Sequence, residues 1–380
     1  MLLLPPLSLY IHIPWCIEKC PYCDFNSHKL RGEIPEKEYL QALLDDLSKD
    51  LFYVQGRRLE TIFIGGGTPS LLSASGIGWL LQEIQKKVPF KDNIEITLEA
   101  NPGAIENQKI SDFKQAGINR FSFGVQSFQQ QKLTKLGRIH GPDEAKNAAK
   151  QALVVGIKTF NLDLMHGLPD QSLSDALEDL QTAIDLKPTH LSWYQLTIEP
   201  NTQYFSHPPI LPDDDLLWDI QEAGQKLLAE NGYLQYEISA YSQADFACQH
   251  NLNYWRFGDY IGIGCGAHGK FTLALENKII RTTKIKHPKG YMDSSRPFLD
   301  DTQTVAKEEL AFEYMLNRLR LFEPIPFSEF NAYTGLPLES IREAINQAIA
   351  KKMLIEGADS WQITALGQRY LNELLTLFMD

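Results

Sequence analysis

The sequence is short of positive charge, of cysteine and of long apolar runs. Its 380 residues hold 36 Lys and Arg against 48 Asp and Glu, a formal net charge of -12. That is the wrong sign for gripping nucleic-acid phosphates without regard to base sequence. No stretch reaches the ~18 consecutive apolar residues that a membrane-spanning helix needs, so no transmembrane segment is expected. The opening MLLLPPLSLYIHIPWCI contains no Lys or Arg. Pro5, Pro6 and Pro14 interrupt its apolar run and no small-residue cleavage site follows, so it does not read as a secretory signal. The five cysteines are odd in number, and three of them crowd into positions 16–23. A disulfide framework would spread them out; a reducing cytosol with a metal site is the better reading, and a cytoplasmic location follows. Internal repeats and low-complexity tracts are also missing.

With 43% hydrophobic and 22% charged residues, what is present suffices for a packed core. The length suggests two or three domains, or one large barrel with an appendage. Short β-rich runs at 9–13, 61–64, 94–98, 120–125, 159–164 and 190–196 alternate with amphipathic stretches at 36–54, 73–88, 106–116, 143–155 and 174–186. Strand, helix, strand at this spacing predicts parallel βαβ units. Six units are too few to close an eight-stranded barrel, so an open partial barrel and a doubly wound sheet both fit. In either, functional residues belong at the C-terminal strand ends.

The pattern changes after Pro200. An acidic, aliphatic helix at 213–230 leads through 236–241 to an aromatic, glycine-dense stretch at 250–269, and 287–304 reads as a linker without periodicity. A helix from 307 to 321 and compact units at 327–334, 338–352 and 361–378 resemble a winged-helix unit. Residues 305–380 carry 7 Lys and Arg against 11 Asp and Glu, so the basic footprint of a nucleic-acid binder is missing. A structural or docking cap is expected instead. The boundaries are 1–200 for the barrel, 201–286 for a linking region and 287–380 for the cap.

The first strand runs into Trp15-Cys16-Ile-Glu-Lys-Cys20-Pro-Tyr-Cys23. Three thiolates in so tight a run suit zinc or an iron–sulfur cluster. Zinc wants four ligands, which His12, His28 or Cys248 could complete. A 4Fe-4S cluster on three cysteines leaves one iron open to a ligand.

Cys-x3-Cys-x2-Cys, together with Tyr10-Ile-His-Ile-Pro-Trp-Cys16 and Gly65-Gly-Gly-Thr-Pro69, resembles the radical S-adenosylmethionine superfamily. The likeness is to the branch that holds the oxygen-independent coproporphyrinogen III oxidases and the heme chaperones, and it covers nearly the whole chain. It implies a partial (β/α)6 barrel with a C-terminal α+β, winged-helix-like cap, in keeping with the six units counted. It also implies a 4Fe-4S cluster on Cys16, Cys20 and Cys23, whose open iron takes S-adenosylmethionine.

Gly65-Gly66-Gly67-Thr68 ends the second strand, where missing side chains let backbone approach a ligand closely. Glu99, Gln126 and Asp163 are polar residues within or at the ends of apolar strands, and Arg138 follows soon after; together they point to a polar cavity. Taken singly, each could instead brace a loop. The resemblance implies that Tyr10, Gly66, Gly67, Thr68, Glu99, Gln126, Arg138 and Asp163 bind S-adenosylmethionine.

Two departures separate the relatives. The oxidases carry a further Cys two residues after the third cluster Cys, where this sequence has Phe25, and a longer N-terminal extension. His250-Asn-Leu-Asn-Tyr254-Trp255 resembles the heme-binding motif of the chaperones. An imidazole can ligate heme iron and the two rings offer apolar surface to a porphyrin. From the residue alone a packed, hydrogen-bonded histidine is the plainer reading; the complete motif favours heme binding and leaves the identity of the ligand open. Cys265-Gly-Ala-His268 could also supply a ligand, but the glycines on every side suggest a tight loop instead. The implied function is a heme carrier holding a 4Fe-4S cluster, S-adenosylmethionine and heme. Its implied partners are a recipient membrane hemoprotein and an electron donor, met by a cytoplasmic chain that can lie peripherally at the membrane. Oxidative decarboxylation of coproporphyrinogen III is the alternative.

Overall fold

The structure, a computed structural model, describes residues 1–104 and 107–379. Six strands lie side by side, all parallel: β1 (Leu7–Ile13), β2 (Leu59–Gly66), β3 (Phe90–Ala100), β4 (Arg120–Gln126), β5 (Thr159–His166) and β6 (His190–Gln195). Helices Glu36–Asp50, Ala74–Lys87, Asn107–Gln115, Pro142–Val154 and Leu173–Asp185 make the crossovers. The strands are near-continuous apolar runs because helices cover one face and the barrel interior the other. Helix starts follow local chemistry: the Ser73 hydroxyl accepts from Gly76 N–H, and Ser172 and Asp175 form a reciprocal cap. The helix expected at 106–116 is found from Asn107; position 106 lies outside the described residues.

The sheet extends beyond these six. Past β6 it adds an antiparallel pair, β7 (Leu234–Glu237) and β8 (Ala240–Ser242). The chain then returns across the hollow as helix Gln249–Trp255 and pairs β9 (Asp259–Ile263) parallel to β1. Antiparallel strands β10 (His268–Leu273), β11 (Lys278–Lys284) and β12 (Leu299–Thr304) complete the order β12-β11-β10-β9-β1-β2-β3-β4-β5-β6-β8-β7. No pairing joins β12 to β7 among the described residues, so the barrel is open.

Two expectations change here. The 201–286 region is woven into both edges of the sheet rather than linking two bodies. The 287–304 linker contains β12, and Tyr291 belongs to the barrel core. Every β12 side chain is exposed, so the strand is held by backbone pairing alone and leaves no periodicity to read. The cap packs its own core from Val305 to Phe378, with Leu2, Phe257 and Ile279 joining it from the barrel side. Its long helix is Leu310–Arg318, shorter than the expected 307–321. Helices Phe327–Thr334 and Arg342–Ala350 and strands Ile325–Pro326, Leu354–Glu356 and Ser360–Ile363 complete it.

A buried ion cluster fastens β11 to the first crossover helix. Lys284 Nζ lies 2.5 Å from Asp46 and 2.7 Å from Asp50, and the Tyr291 hydroxyl donates to Asp46 at 2.7 Å. Lys284→Met would leave two buried carboxylates without their cation. We expect a loss of about 3–5 kcal/mol in urea unfolding, the usual cost of breaking a buried pair from one side; a loss below about 1 kcal/mol would contradict the assignment.

Candidate cluster and cofactor site

The loop after β1 begins and ends with a short parallel pairing, Trp15–Cys16 against His28–Lys29. Between them Cys23 N–H donates to Cys20 O, and Lys19 Nζ donates to the carbonyls of Phe25 and Ser27. All three thiols are half-buried and face one cavity of about 490 Å³, a size ordinary for a small-molecule site. Each has a polar neighbour: Thr68 Oγ1 at 3.6 Å from Cys16, Arg138 Nη1 at 3.6 Å from Cys20, Ser27 Oγ at 3.8 Å from Cys23. Burial raises the Cys16 and Cys23 pKa values. Ligation by a metal would overcome this, and hydrogen bonds to sulfur are what tune a bound cluster.

Of the three residues that could complete a zinc site, His28 keeps a ring nitrogen, Nε2, without a partner among the described residues. His12 has both ring nitrogens engaged, and Cys248 is buried 3.6 Å from Glu95, which lies mid-strand on β3, four residues before Glu99. Among the described residues no three or more His, Cys, Asp or Glu side chains converge on a point for one metal ion.

The cavity floor is made by strand ends. Gly66 N–H donates to Glu99 Oε2 at 3.0 Å. Asp163 accepts from Ser122 at 3.0 Å and from Asn161 at 2.7 Å. Gln126 sits at a register shift in β4–β5 with φ +71°, a bulge that re-aims its side chain, and its Oε1 accepts from the Tyr194 hydroxyl. Arg138 donates to Gly124 O at 2.6 Å. Its buried Nε has no partner among the described residues, so donor capacity is left for a ligand. Burial and the neighbouring Asp163 push the Glu99 carboxyl up to about 8, against the opposing pull of the Gly66 N–H and Arg120. Burial likewise raises Asp163.

The glycines answer to the protein as well as to a ligand. Gly66 has φ +111°, and a Cβ there would lie 2.5 Å from the His12 ring. A Cβ on Gly67 would lie 2.6 Å from the Trp15 carbonyl oxygen. Backbone crowding against the cluster loop is thus built in.

Helix Gln249–Trp255 lies inside the hollow. Glu95 accepts the backbone N–H of Gln249 at 3.2 Å and of His250 at 3.0 Å, closing its N-terminus. His250 is 1% exposed. Its Nδ1 donates to Thr61 Oγ1 at 2.7 Å, since that hydroxyl itself donates to Ser8, and its Nε2 then accepts from the Tyr254 hydroxyl at 3.0 Å. Burial pushes its pKa down to about 3. The neutral ring is fully used, and this geometry does not offer His250 to a heme iron. Trp255 reaches the cavity wall, with the Arg320 guanidinium 4.2 Å above its ring.

Comparison with known proteins agrees with this architecture. Residues 10–182 match the radical SAM superfamily and 305–370 the HemN C-terminal domain. The heme chaperone HemW of Escherichia coli (strain K12) is 58% identical over 379 residues, covering 100% of both chains. That of Haemophilus influenzae is 57% identical over 380 residues, covering 99% of this chain and 98% of its own. The solved structure of the Escherichia coli coproporphyrinogen III oxidase HemN superposes with a TM-score of 0.85 at 21% identity. It covers 99% of this chain and 91% of that one, which establishes the shared fold. The chain belongs to the heme chaperone HemW family. Membership in the radical SAM superfamily brings with it a 4Fe-4S cluster and S-adenosylmethionine as cofactors. The thiol triplet, its hydrogen-bond donors and the glycine cradle fit them.

Of the residues singled out from sequence, Cys16, Cys20, Cys23, Gly66, Gly67, Thr68, Glu99, Gln126, Arg138 and Asp163 line this one cavity. Tyr10 does not; it lines a second, adjoining cavity of about 860 Å³ with Tyr254 and His268. His250 lines neither. Ser122, Ser192 and Tyr194, which also line the first cavity, escaped the sequence reading. Their alternation on β4 and β6 was the available signal. For a HemW-family chain with this packing, Gly66→Ala should lower the melting temperature by several degrees through the His12 collision. Gly32→Ala has positive φ but open space around it, so it isolates the backbone cost. Equal shifts in both variants would show that the collision carries no weight.

Proposed function

We propose that this chain is a heme chaperone that binds heme, a 4Fe-4S cluster and S-adenosylmethionine. In this reading it delivers heme to a membrane hemoprotein from the cytoplasm, by transient contact with the membrane surface. Among the described residues no helix is long and apolar enough to cross a membrane. Cys16, Cys20 and Cys23 hold the cluster; Gly66, Gly67, Thr68, Glu99, Gln126, Arg138 and Asp163 hold S-adenosylmethionine, with Tyr10 behind them. The cofactors together supply a one-electron reduction of the sulfonium C–S bond, for which an electron donor is the implied partner. His250 acts as a positioning residue by fixing the hydroxyl of Tyr254.

The observation that carries the chaperone reading over the oxidase is Phe25. It is 59% exposed and lines both cavities, at the place where the oxidases carry their further cysteine. An apolar ring there gives flat surface to a porphyrin and no thiol for chemistry. The anaerobic, reconstituted protein should bind about four iron per chain, and Cys16→Ala, Cys20→Ala or Cys23→Ala should abolish its colour. With reductant, S-adenosylmethionine and coproporphyrinogen III it should form no protoporphyrinogen IX, while added heme gives a saturating Soret band. Robust decarboxylation without heme binding would reverse the assignment.

A second expectation concerns pH. Glu99 faces Asp163 on β5 and Arg120 on β4, and lies near the Tyr10 hydroxyl on β1. With its pKa at about 8 it holds a proton at neutrality in the free protein. A cationic ligand lowers that pKa, so binding expels the proton. S-adenosylmethionine affinity should therefore rise with pH, by up to about tenfold per unit, and level off above about pH 8. Glu99→Gln should flatten the slope in equilibrium binding. An unchanged slope would place the cation elsewhere.

A further inference from the structure

The second cavity opens beside the first, sharing Phe25, Gly66, Glu99 and Trp255 with it. Its about 860 Å³ suits a large planar ligand. One wall is aromatic: Tyr254 and Tyr260 meet edge to face at 4.5 Å, with Phe25 across the mouth. The charges are unusual for so acidic a chain. Lys270 and Arg281 are paired with Asp259 and Glu313. Lys19 and Lys286 have no carboxylate partner among the described residues, and only Asp24 and Glu99 bring carboxylates to the lining. Two ammonium groups without a carboxylate, Lys19 held only by the Phe25 and Ser27 carbonyls, at the rim of an aromatic slot suit a planar dianion.

An imidazole is also available. His268 begins β10 and is exposed, and its Nδ1 lies 3.4 Å from the Thr283 hydroxyl, leaving Nε2 unpartnered. It shares the inner face of β10 with Lys270, two residues on. The carbonyl of His268 packs where Gly262 has no side chain: a Cβ there would lie 1.9 Å from that oxygen, so β9 and β10 are drawn together at this point. His268 therefore stands on a fixed strand start rather than a loose loop. His250, by contrast, gives both nitrogens to the protein.

We infer that heme binds in this second cavity, with His268 Nε2 ligating the iron, Tyr254 and Tyr260 against the macrocycle, and Lys19 and Lys286 pairing with the propionates. The inference rests on the heme-chaperone reading and adds the site. Ligation is a lone-pair donation from the neutral imidazole, displacing a water from the iron, and no electron changes hands. Burial lowers the His268 pKa, which favours that neutral form.

The test is hemin titration of the full-length protein, read by the Soret band. His268→Ala should shift the Soret maximum and weaken binding about tenfold or more; its position is exposed, and an unchanged melting curve separates lost ligation from misfolding. Lys19→Ala with Lys286→Ala should weaken binding while keeping the wild-type maximum, and should reduce its salt sensitivity. Tyr254→Phe, which frees His250 Nε2 without emptying the core, should leave the maximum in place. If wild type binds heme and His268→Ala reproduces its spectrum and affinity, the site assignment is overturned while the chaperone reading stands. If wild type shows no saturable binding, both fall.

Discussion

His12 is held between two glycines, and the position of the cluster loop depends on that contact. A Cβ on Gly66 would lie 2.5 Å from its ring, and one on Gly264 would lie 2.4 Å from its carbonyl oxygen. Both glycines have positive φ, so close approach and backbone conformation demand the same residue. The pinned imidazole accepts from Tyr10 OH through Nδ1 and donates to Asn26 O through Nε2. Burial pushes its pKa down to about 4, so it stays neutral and keeps that tautomer. Asn26 then donates to the carbonyls of Cys265 and Lys286. Ends of β1 and β2, the turn after β9 and the cluster loop are thereby fixed to one another, and the thiols face Gly66 and Thr68 as a result.

This explains which parts of the molecule could be read from sequence. Each of β1 to β6 is an apolar run with a covering helix beside it in the chain, and the thiol triplet is eight residues long. Both signals are local. Strands β7 and β8 are short and β12 buries no side chain, while β9 to β11 are largely buried but have no covering helix beside them in the chain to mark them. The residues of the first cavity come from the strand ends and the loops that follow them, which the βαβ rule anticipates. The second cavity is drawn from the cluster loop, helix Gln249–Trp255 and strands β9 to β11. No spacing rule joins such distant segments. His250 shows the limit most clearly: the motif marks the right helix, but only the Thr61 and Tyr254 contacts reveal that the imidazole is spent on holding it.

The two cavities share Lys19, Asp24 and Glu99 and differ beyond them, where Asp163 lines only the first and Lys286 only the second. Asp163 with Glu99 makes the first receptive to cations, at the expense of holding protons when it is empty. Lys286 with Lys19 makes the second receptive to anions, within a chain of net charge -12. Phe25 and Trp255 stand where the cavities meet, among the Lys19, Asp24 and Glu99 that line both.

Trp255 also ties this junction to the cap. Arg320, just beyond helix Leu310–Arg318, lies over its ring and reaches Glu237 at the end of β7 at 3.3 Å. Arg256, the next residue along, pairs with Glu323 of the cap at 2.6 Å. The cap's core also takes in Phe257, two residues after Trp255. Three consecutive side chains at the end of the buried helix therefore touch the cap, the last of them, Phe257, also lying under Lys270 of β10. Any shift of the cap must move the wall between the cavities. The indole Nε1, buried without a partner among the described residues, is the polar group in that wall still free to register a ligand.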